Sequence, residues 1–202
     1  MNEELKAKVV LIGDAEVGKT CIIENLKGNP FQHYSNTVSC GESIIEKKIE
    51  GVNIKFNFWD TAGQEMYQAL TPQCIRNADI TFLVFDLTKE STMVNLQYWL
   101  QIAQEENADN IIYMVGCKRD LAEEQNLRQV NYDTARRFID TLKCDKKIKY
   151  CEVSAKTGQN LTTLLSSAAV DFLKNSSYSN KSEPAPNPVP IDVIPQKGIC
   201  KK

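Results

Sequence analysis

The sequence predicts an α/β fold, with a doubly wound and mostly parallel sheet of six strands, one antiparallel edge strand and about five helices. Short apolar runs alternate with longer stretches of helical periodicity along the chain, which is the pattern of such sheets. Two neighbouring runs flank Gly51 and indicate a hairpin, so one pair of strands is expected to be antiparallel. Apolar residues then recur at helical spacing and are expected to lie in the core: Met93, Leu96, Trp99, Leu100 and Ala103.

The elements alternate in order along the chain. Strands are predicted at residues 8–12, 43–50, 53–59, 80–85, 110–116 and 149–153. Helices are predicted at residues 19–26, 71–76, 91–107, 132–142 and 161–174. The second strand spaces its apolar residues loosely, as an exposed edge strand does. Residues 1–174 are therefore expected to form one domain.

The character of the sequence changes after residue 174. Residues 175–202 are rich in Ser, Asn and Pro, and five prolines interrupt any helix: Pro184, Pro186, Pro188, Pro190 and Pro195. Such a composition predicts a disordered, partly polyproline-like tail. One cysteine, Cys200, lies near its end.

The composition indicates an ordinary globular chain. Of 202 residues, 42% are hydrophobic and 25% are charged, and the net charge of −2 gives no indication of nucleic-acid binding. No apolar run approaches the ~18 residues of a membrane span. Seven cysteines without a C-x-x-C pair predict reduced thiols, and with no signal peptide they favour a cytoplasmic location.

A phosphate-binding loop is the strongest motif. The segment Gly13 to Thr20 reads G-D-A-E-V-G-K-T, follows the first apolar strand and precedes a helix, which fits G-x-x-x-x-G-K-[ST]. Backbone N–H groups at the helix start bind an anion there. The Lys19 charge suits the β- and γ-phosphates, and the Thr20 hydroxyl suits Mg²⁺. The nucleotide-binding candidates here are Ala15, Glu16, Val17, Gly18, Lys19, Thr20 and Cys21.

Three later strand ends carry groups suited to the rest of a nucleotide. Asp60 ends a strand and can hold Mg²⁺ through water, while the Gly63 N–H can meet a γ-phosphate. The next motif, C-K-R-D-L at residues 117–121, places a carboxylate where guanine N1 and N2 can donate to it. Backbone N–H groups of S-A-K at residues 154–156 suit the guanine carbonyl oxygen. The candidates from these two motifs are Cys117, Lys118, Asp120, Leu121, Ser154, Ala155 and Lys156.

With these four motifs in this order, the chain resembles a small GTPase of the Ras superfamily over residues 7–174, and most resembles the Rab branch. D-T-A-G-Q-E at residues 60–65, Trp59 before it, and L-V-F-D-L-T at residues 83–88 carry that likeness. V-S-C-G-E at residues 38–42 and M-Y-Q-A-L-T at residues 66–71 depart from the usual Rab sequences, so the member is divergent. The resemblance implies a three-layer P-loop NTPase G domain at residues 1–174 and a hypervariable tail at residues 175–202.

The resemblance also implies a GTP/GDP switch with Mg²⁺ as cofactor. Gln64 would orient the attacking water, and with Lys19 and Thr37 it forms the implied catalytic set. The implied Mg²⁺ ligands are Thr20, Thr37 and Asp60. Tyr34 would cover the phosphates and Phe31 would pack against guanine, although ordinary loop packing explains these two aromatic residues as well.

Three residues depart from the family pattern. Cys117 replaces an asparagine that ties the base loop to the phosphate loop, which predicts weaker nucleotide binding. Glu16 either repels the phosphates or points into water at little cost. Ala15 occupies a position beside the γ-phosphate where bulk slows hydrolysis.

The implied partners are an exchange factor, a GTPase-activating protein and effectors, which bind through residues 31–42 and 63–76. The protein is expected to be a monomer that cycles onto the cytoplasmic face of endomembranes to regulate vesicle trafficking, without binding nucleic acid. Cys200 is a lipidation candidate, with an unmodified thiol as the alternative. Two alternatives stay open: a non-cycling scaffold and a signalling GTPase of the Ras or Rho branch. A P-loop ATPase is a third and less favoured alternative.

Overall fold

The computed structural model describes residues 5–32, 41–61, 74–107, 109–144 and 146–176. Six strands form one sheet in the order β2-β3-β1-β4-β5-β6. They are β1 (Leu5–Ile12), β2 (Gly41–Ile49), β3 (Val52–Asp60), β4 (Ile80–Asp86), β5 (Ile111–Cys117) and β6 (Lys149–Glu152). Every pairing is parallel except β2 with β3. The predicted fold class and the antiparallel edge strand are therefore confirmed.

Burial of the strands follows their place in the sheet. All seven residues of β4, at the centre, are buried, because helices cover both faces of a parallel sheet. Only Ile45 of the edge strand β2 is buried. Successive side chains of β1 point to opposite faces of the sheet, so each face has its own hydrophobic cluster. Val9 and Leu11 belong to one cluster, and Val10 and Ile12 belong to the other. The result is three layers.

The helices flank this sheet as α1 (Lys19–Leu26), α2 (Glu90–Val94), α3 (Leu96–Glu106), α4 (Arg119–Glu124), α5 (Tyr132–Thr141) and α6 (Leu161–Asn175). Within the described segments, no helix is both long and apolar enough to cross a membrane. Of the helix predicted at residues 71–76, residues 74 and 75 are helical and residues 71–73 lie outside the described part.

One helix prediction needs correction, and one helix was not predicted. The single helix predicted over residues 91–107 is divided at Asn95, where ψ is −13° and the Tyr98 N–H donates to the Asn95 carbonyl three residues back. The six-residue helix α4 was not predicted, since it is too short to show periodicity. The core assignments of Met93 and Trp99 are confirmed, each with 3% of its surface exposed.

The cysteines also depart from the expectation of reduced thiols throughout. Cys21, Cys117, Cys144 and Cys151 are free, whereas Cys74 is disulfide-bonded. Spacing along the sequence does not reveal such a bond, because pairing depends on which thiols the fold brings together.

Candidate functional site

The predicted site residues converge at the carboxyl ends of the parallel strands. The loop after β1 enters α1, β3 ends at Asp60, β5 ends at Cys117, and Ser154 follows β6. This edge is where open α/β sheets bind ligands. The site is therefore assembled from four segments that are far apart in the sequence.

The loop between β1 and α1 has a backbone that requires glycine. Gly13 has a φ of +146°, and a Cβ added to it would lie 2.1 Å from the Val84 carbonyl oxygen. Gly18 has a φ of +109°, and a Cβ there would lie 2.8 Å from the Cys117 sulfur. Glu16 also has a positive φ of 62°, and its side chain is exposed to solvent. The carboxylate of Glu16 is therefore screened by water.

Lys19 is a buried cation at the start of α1. Only 5% of its surface is exposed, and its Nζ donates to the carbonyls of Gly13, at 2.8 Å, and Asp14, at 2.6 Å. Burial lowers the pKa of Lys19 to about 8, while the charges of Asp60 and Asp14 oppose that shift. A phosphate group bound in the loop would stabilise the charged form of the Lys19 ammonium, which burial disfavours.

Thr20 and Asp60 form the pair that fits a magnesium ion. The Thr20 hydroxyl donates to Asp60 Oδ2 at 2.6 Å, so a hydroxyl oxygen at the start of α1 and a carboxylate oxygen at the end of β3 lie side by side. Magnesium prefers such oxygen ligands and keeps several waters when bound. The Thr61 hydroxyl donates to the Leu11 carbonyl at 2.6 Å and so fixes the end of β3 against β1. The residues present therefore fit Mg²⁺.

Cys117 lies at the centre of the site, behind the phosphate loop. It is 1% exposed, next to Gly18. Burial raises the pKa of the Cys117 thiol to about 12, and hydrogen bonds from the backbone N–H groups of Lys118 and Ala155 oppose that rise. The neutral thiol is a weak donor and a weak acceptor. It therefore braces the neighbouring loops less strongly than a side-chain amide would.

The two residues suited to the base are held by other strands. Asp120 is buried, and its Oδ1 accepts a hydrogen bond from the Ser154 hydroxyl at 2.6 Å. The Lys118 Nζ lies 2.8 Å from Asp86 Oδ2, and Asp86 in turn accepts from the Thr88 N–H and hydroxyl. A charged acceptor and the lysine stem are thereby fixed on one side of the site.

Sequence reasoning missed the side chains that connect these parts. Asp14 of the phosphate loop accepts from Trp99 Nε1 at 2.9 Å and from Asn95 Nδ2 at 2.7 Å, which ties the loop to α3. Asp86 and Asn25 were missed too, because each acts through a partner that is distant in the sequence. Trp99 was assigned to the core alone, because helical spacing in the sequence does not show that its indole N–H contacts Asp14.

The other predicted residues divide into two groups. Ala15, Cys21 and Leu121 are half-buried, Val17 and Ala155 are buried, Lys156 is exposed, and Phe31 is exposed at the end of a described segment. Tyr34, Thr37, Gly63, Gln64 and Cys200 lie outside the described residues. The described set supplies a cation, a hydroxyl–carboxylate pair and a buried acceptor, which together suit a nucleotide with Mg²⁺.

Comparison with known proteins identifies the family. The family model "Ras family" matches residues 8–174. The ras-related protein Rab-5B of Dictyostelium discoideum is 34% identical over 83% of this chain and 76% of its own. Human Rab-19 is 30% identical over 93% of this chain and 85% of its own, and human Rab-37 is 32% identical over 78% and 69%. The chain belongs to the Ras family and is a divergent, Rab-like small GTPase.

Proposed function

We propose that this protein is a guanine-nucleotide switch that binds GTP or GDP with Mg²⁺ and slowly hydrolyses GTP to GDP. The observation that carries this is the convergence of Lys19, the Thr20–Asp60 pair and Asp120 at one edge of the sheet. A triphosphate, a magnesium ion and a base each find groups of suitable chemistry there.

The preference for guanine rests on Asp120. Its buried carboxylate can accept from the N1 and N2 donors of guanine, which adenine lacks. A buried carboxylate left without those donors costs free energy, so adenine is rejected more strongly than the lost bonds alone would require. The fixed Ser154 hydroxyl orients this carboxylate toward one ligand.

Hydrolysis is proposed to depend on positioning. Gln64 orients the attacking water, Lys19 neutralises phosphate charge, and Thr37 joins Thr20 and Asp60 at the metal. Magnesium, when bound, would offset charge that develops on the phosphate oxygens. Such chemistry is slow without an added arginine, so a GTPase-activating partner is part of the proposal.

In the cell, the GTP-bound form is proposed to recruit effectors through residues 31–42 and 63–76 and thereby regulate vesicle trafficking. An exchange factor would reload it. The tail at residues 175–202, with Cys200 as the candidate for lipidation, would bring the G domain of residues 1–174 to the cytoplasmic face of endomembranes. The Rab names of the relatives support this role.

A second candidate is a scaffold that binds partners without cycling. The observation that favours it is the buried Cys117 thiol, which lacks the hydrogen-bonding capacity of an amide beside Gly18. A chain that holds nucleotide too weakly would not carry a GTP-dependent signal.

One experiment separates the two candidates. The full chain is purified with Mg²⁺, and affinities for GDP, GTP and ATP are measured beside single-turnover hydrolysis of GTP by the wild type and Gln64→Leu. A switch binds GDP and GTP far more tightly than ATP and loses hydrolysis, but not binding, in Gln64→Leu. Absence of guanine-nucleotide binding, or hydrolysis that Gln64→Leu leaves unchanged, would contradict the proposal.

A further inference from the structure

Asn25, on the last turn of α1, contacts the loop at residues 154–158, which we call the base loop. Its Nδ2 donates to the Ala155 carbonyl at 3.1 Å across 130 residues of sequence. A Cβ added to Gly158 would lie 3.3 Å from Asn25 Oδ1, so the same amide also packs against the far side of the loop. The phosphate-binding loop plays no direct part in either contact.

The base loop is otherwise fixed toward Asp120. Ser154 donates to Asp120 and accepts from the Thr157 N–H at 3.1 Å, and the Gly158 N–H donates to the Ser154 carbonyl at 2.9 Å. These bonds set the shape of the loop and its distance from the acceptor for the base. They do not set its distance from the phosphate half of the site.

The residue placed to set that distance directly is Cys117. Its sulfur lies between Gly18 of the phosphate loop and the Ala155 N–H. A neutral thiol forms only weak hydrogen bonds, so this connection is soft. An amide hydrogen bond is stronger, and Asn25 supplies one to the same residue, Ala155.

We propose that Asn25 is a positioning residue for the guanine base. It acts through its hydrogen bond to Ala155 and replaces the weak connection that Cys117 makes between the two loops. Asn25 belongs to the same helix as Lys19 and Thr20, so its hydrogen bond joins the base loop to the element that holds the phosphates. The span of α1 then fixes how far the Ala155 N–H lies from the phosphate end. This inference rests on the proposed function, in which the Ala155 N–H meets the 6-oxo group of guanine.

The test uses the full chain with Mg²⁺ and two nucleotides, GDP and the diphosphate of 2-aminopurine riboside, which lacks the 6-oxo group and with it the N1 hydrogen, but keeps the 2-amino donor. Loss of the Asn25 hydrogen bond in Asn25→Ala is expected to raise the GDP dissociation rate constant about 3- to 10-fold. The analogue cannot use the positioned N–H, so its rate constant is expected to change by less than about twofold. Asn25→Asp keeps the shape but puts a charged acceptor against the Ala155 carbonyl, so it is expected to raise the GDP dissociation rate constant at least as much if Asn25→Ala folds poorly.

Asn29→Ala is the matched control, because Asn29 is exposed near the end of the same helix and bonds to Glu24 instead of the base loop. It is expected to leave both rate constants unchanged. If the Asn25 variants change the dissociation rate constants of the two nucleotides equally, or change neither, the inference is overturned. GDP binding by the wild type would in that case leave the proposed function intact. Failure of the wild type to bind GDP would overturn both.

Discussion

Replacing Cys117 by asparagine is expected to tighten guanine-nucleotide binding. Cys117 is 1% exposed and its sulfur adjoins Gly18, so an amide at this position would lie within reach of the phosphate loop and the base loop together. Water does not compete for a group buried there. The variant adds hydrogen bonds between two loops that the thiol connects only weakly.

The magnitude follows from the number of bonds. Two added hydrogen bonds at about 0.5–1.5 kcal/mol each amount to about 1–3 kcal/mol. With a tenfold change for each 1.4 kcal/mol, the dissociation constant for GDP is expected to fall by roughly 10- to 100-fold. The slower release would appear mainly in the dissociation rate constant.

The assay is displacement of a fluorescent GDP analogue from the purified full chain with Mg²⁺, for wild type and Cys117→Asn. Cys117→Ser is the control, because a hydroxyl has nearly the size of the thiol and cannot form both amide bonds. Because the hydroxyl can add about one hydrogen bond, Cys117→Ser is expected to lower the GDP dissociation constant about 2- to 10-fold, less than Cys117→Asn does. A Cys117→Asn protein with unchanged unfolding behaviour and unchanged GDP dissociation would refute the reasoning.

Two further predictions concern Lys19 and Trp99. Burial lowers the pKa of Lys19 to about 8, and a bound phosphate would raise it, so GDP binding takes up a proton above pH 8. The affinity for GDP, measured by titration calorimetry, is therefore expected to fall from pH 7 to pH 9, by up to about tenfold per pH unit above 8. A flat profile would show that Lys19 stays charged without nucleotide. Trp99→Phe removes the donor to Asp14, and urea unfolding is expected to show that the free energy of unfolding falls by about 1–3 kcal/mol. Tyr98→Phe is the control, because Tyr98 is an exposed neighbour, and it is expected to change stability little. Equal stability of the two variants would contradict a role for the Trp99–Asp14 bond.

Much of the fold was predictable because its signals are local. Apolar runs of strand length predicted the six strands, and Gly51 between two of them predicted the antiparallel edge. The division of one helix at Asn95 was not predictable, since its side chain bonds to Asp14, 81 residues away. The disulfide of Cys74 was missed for the same kind of reason.

The sequence by itself determined the chemistry of the site: the glycines and Lys19 of the phosphate loop, the Asp60 strand end and the Asp120 acceptor, each readable from a short motif beside a strand. The tertiary structure alone decided how those motifs are connected. Asn25 reaches Ala155 and Trp99 holds Asp14 because the fold packs their helices beside the site, and Asp86 holds Lys118 because β4 and β5 end side by side. Motifs are local in the chain, whereas the hydrogen bonds that position them cross the fold, and no spacing in the sequence records those partners.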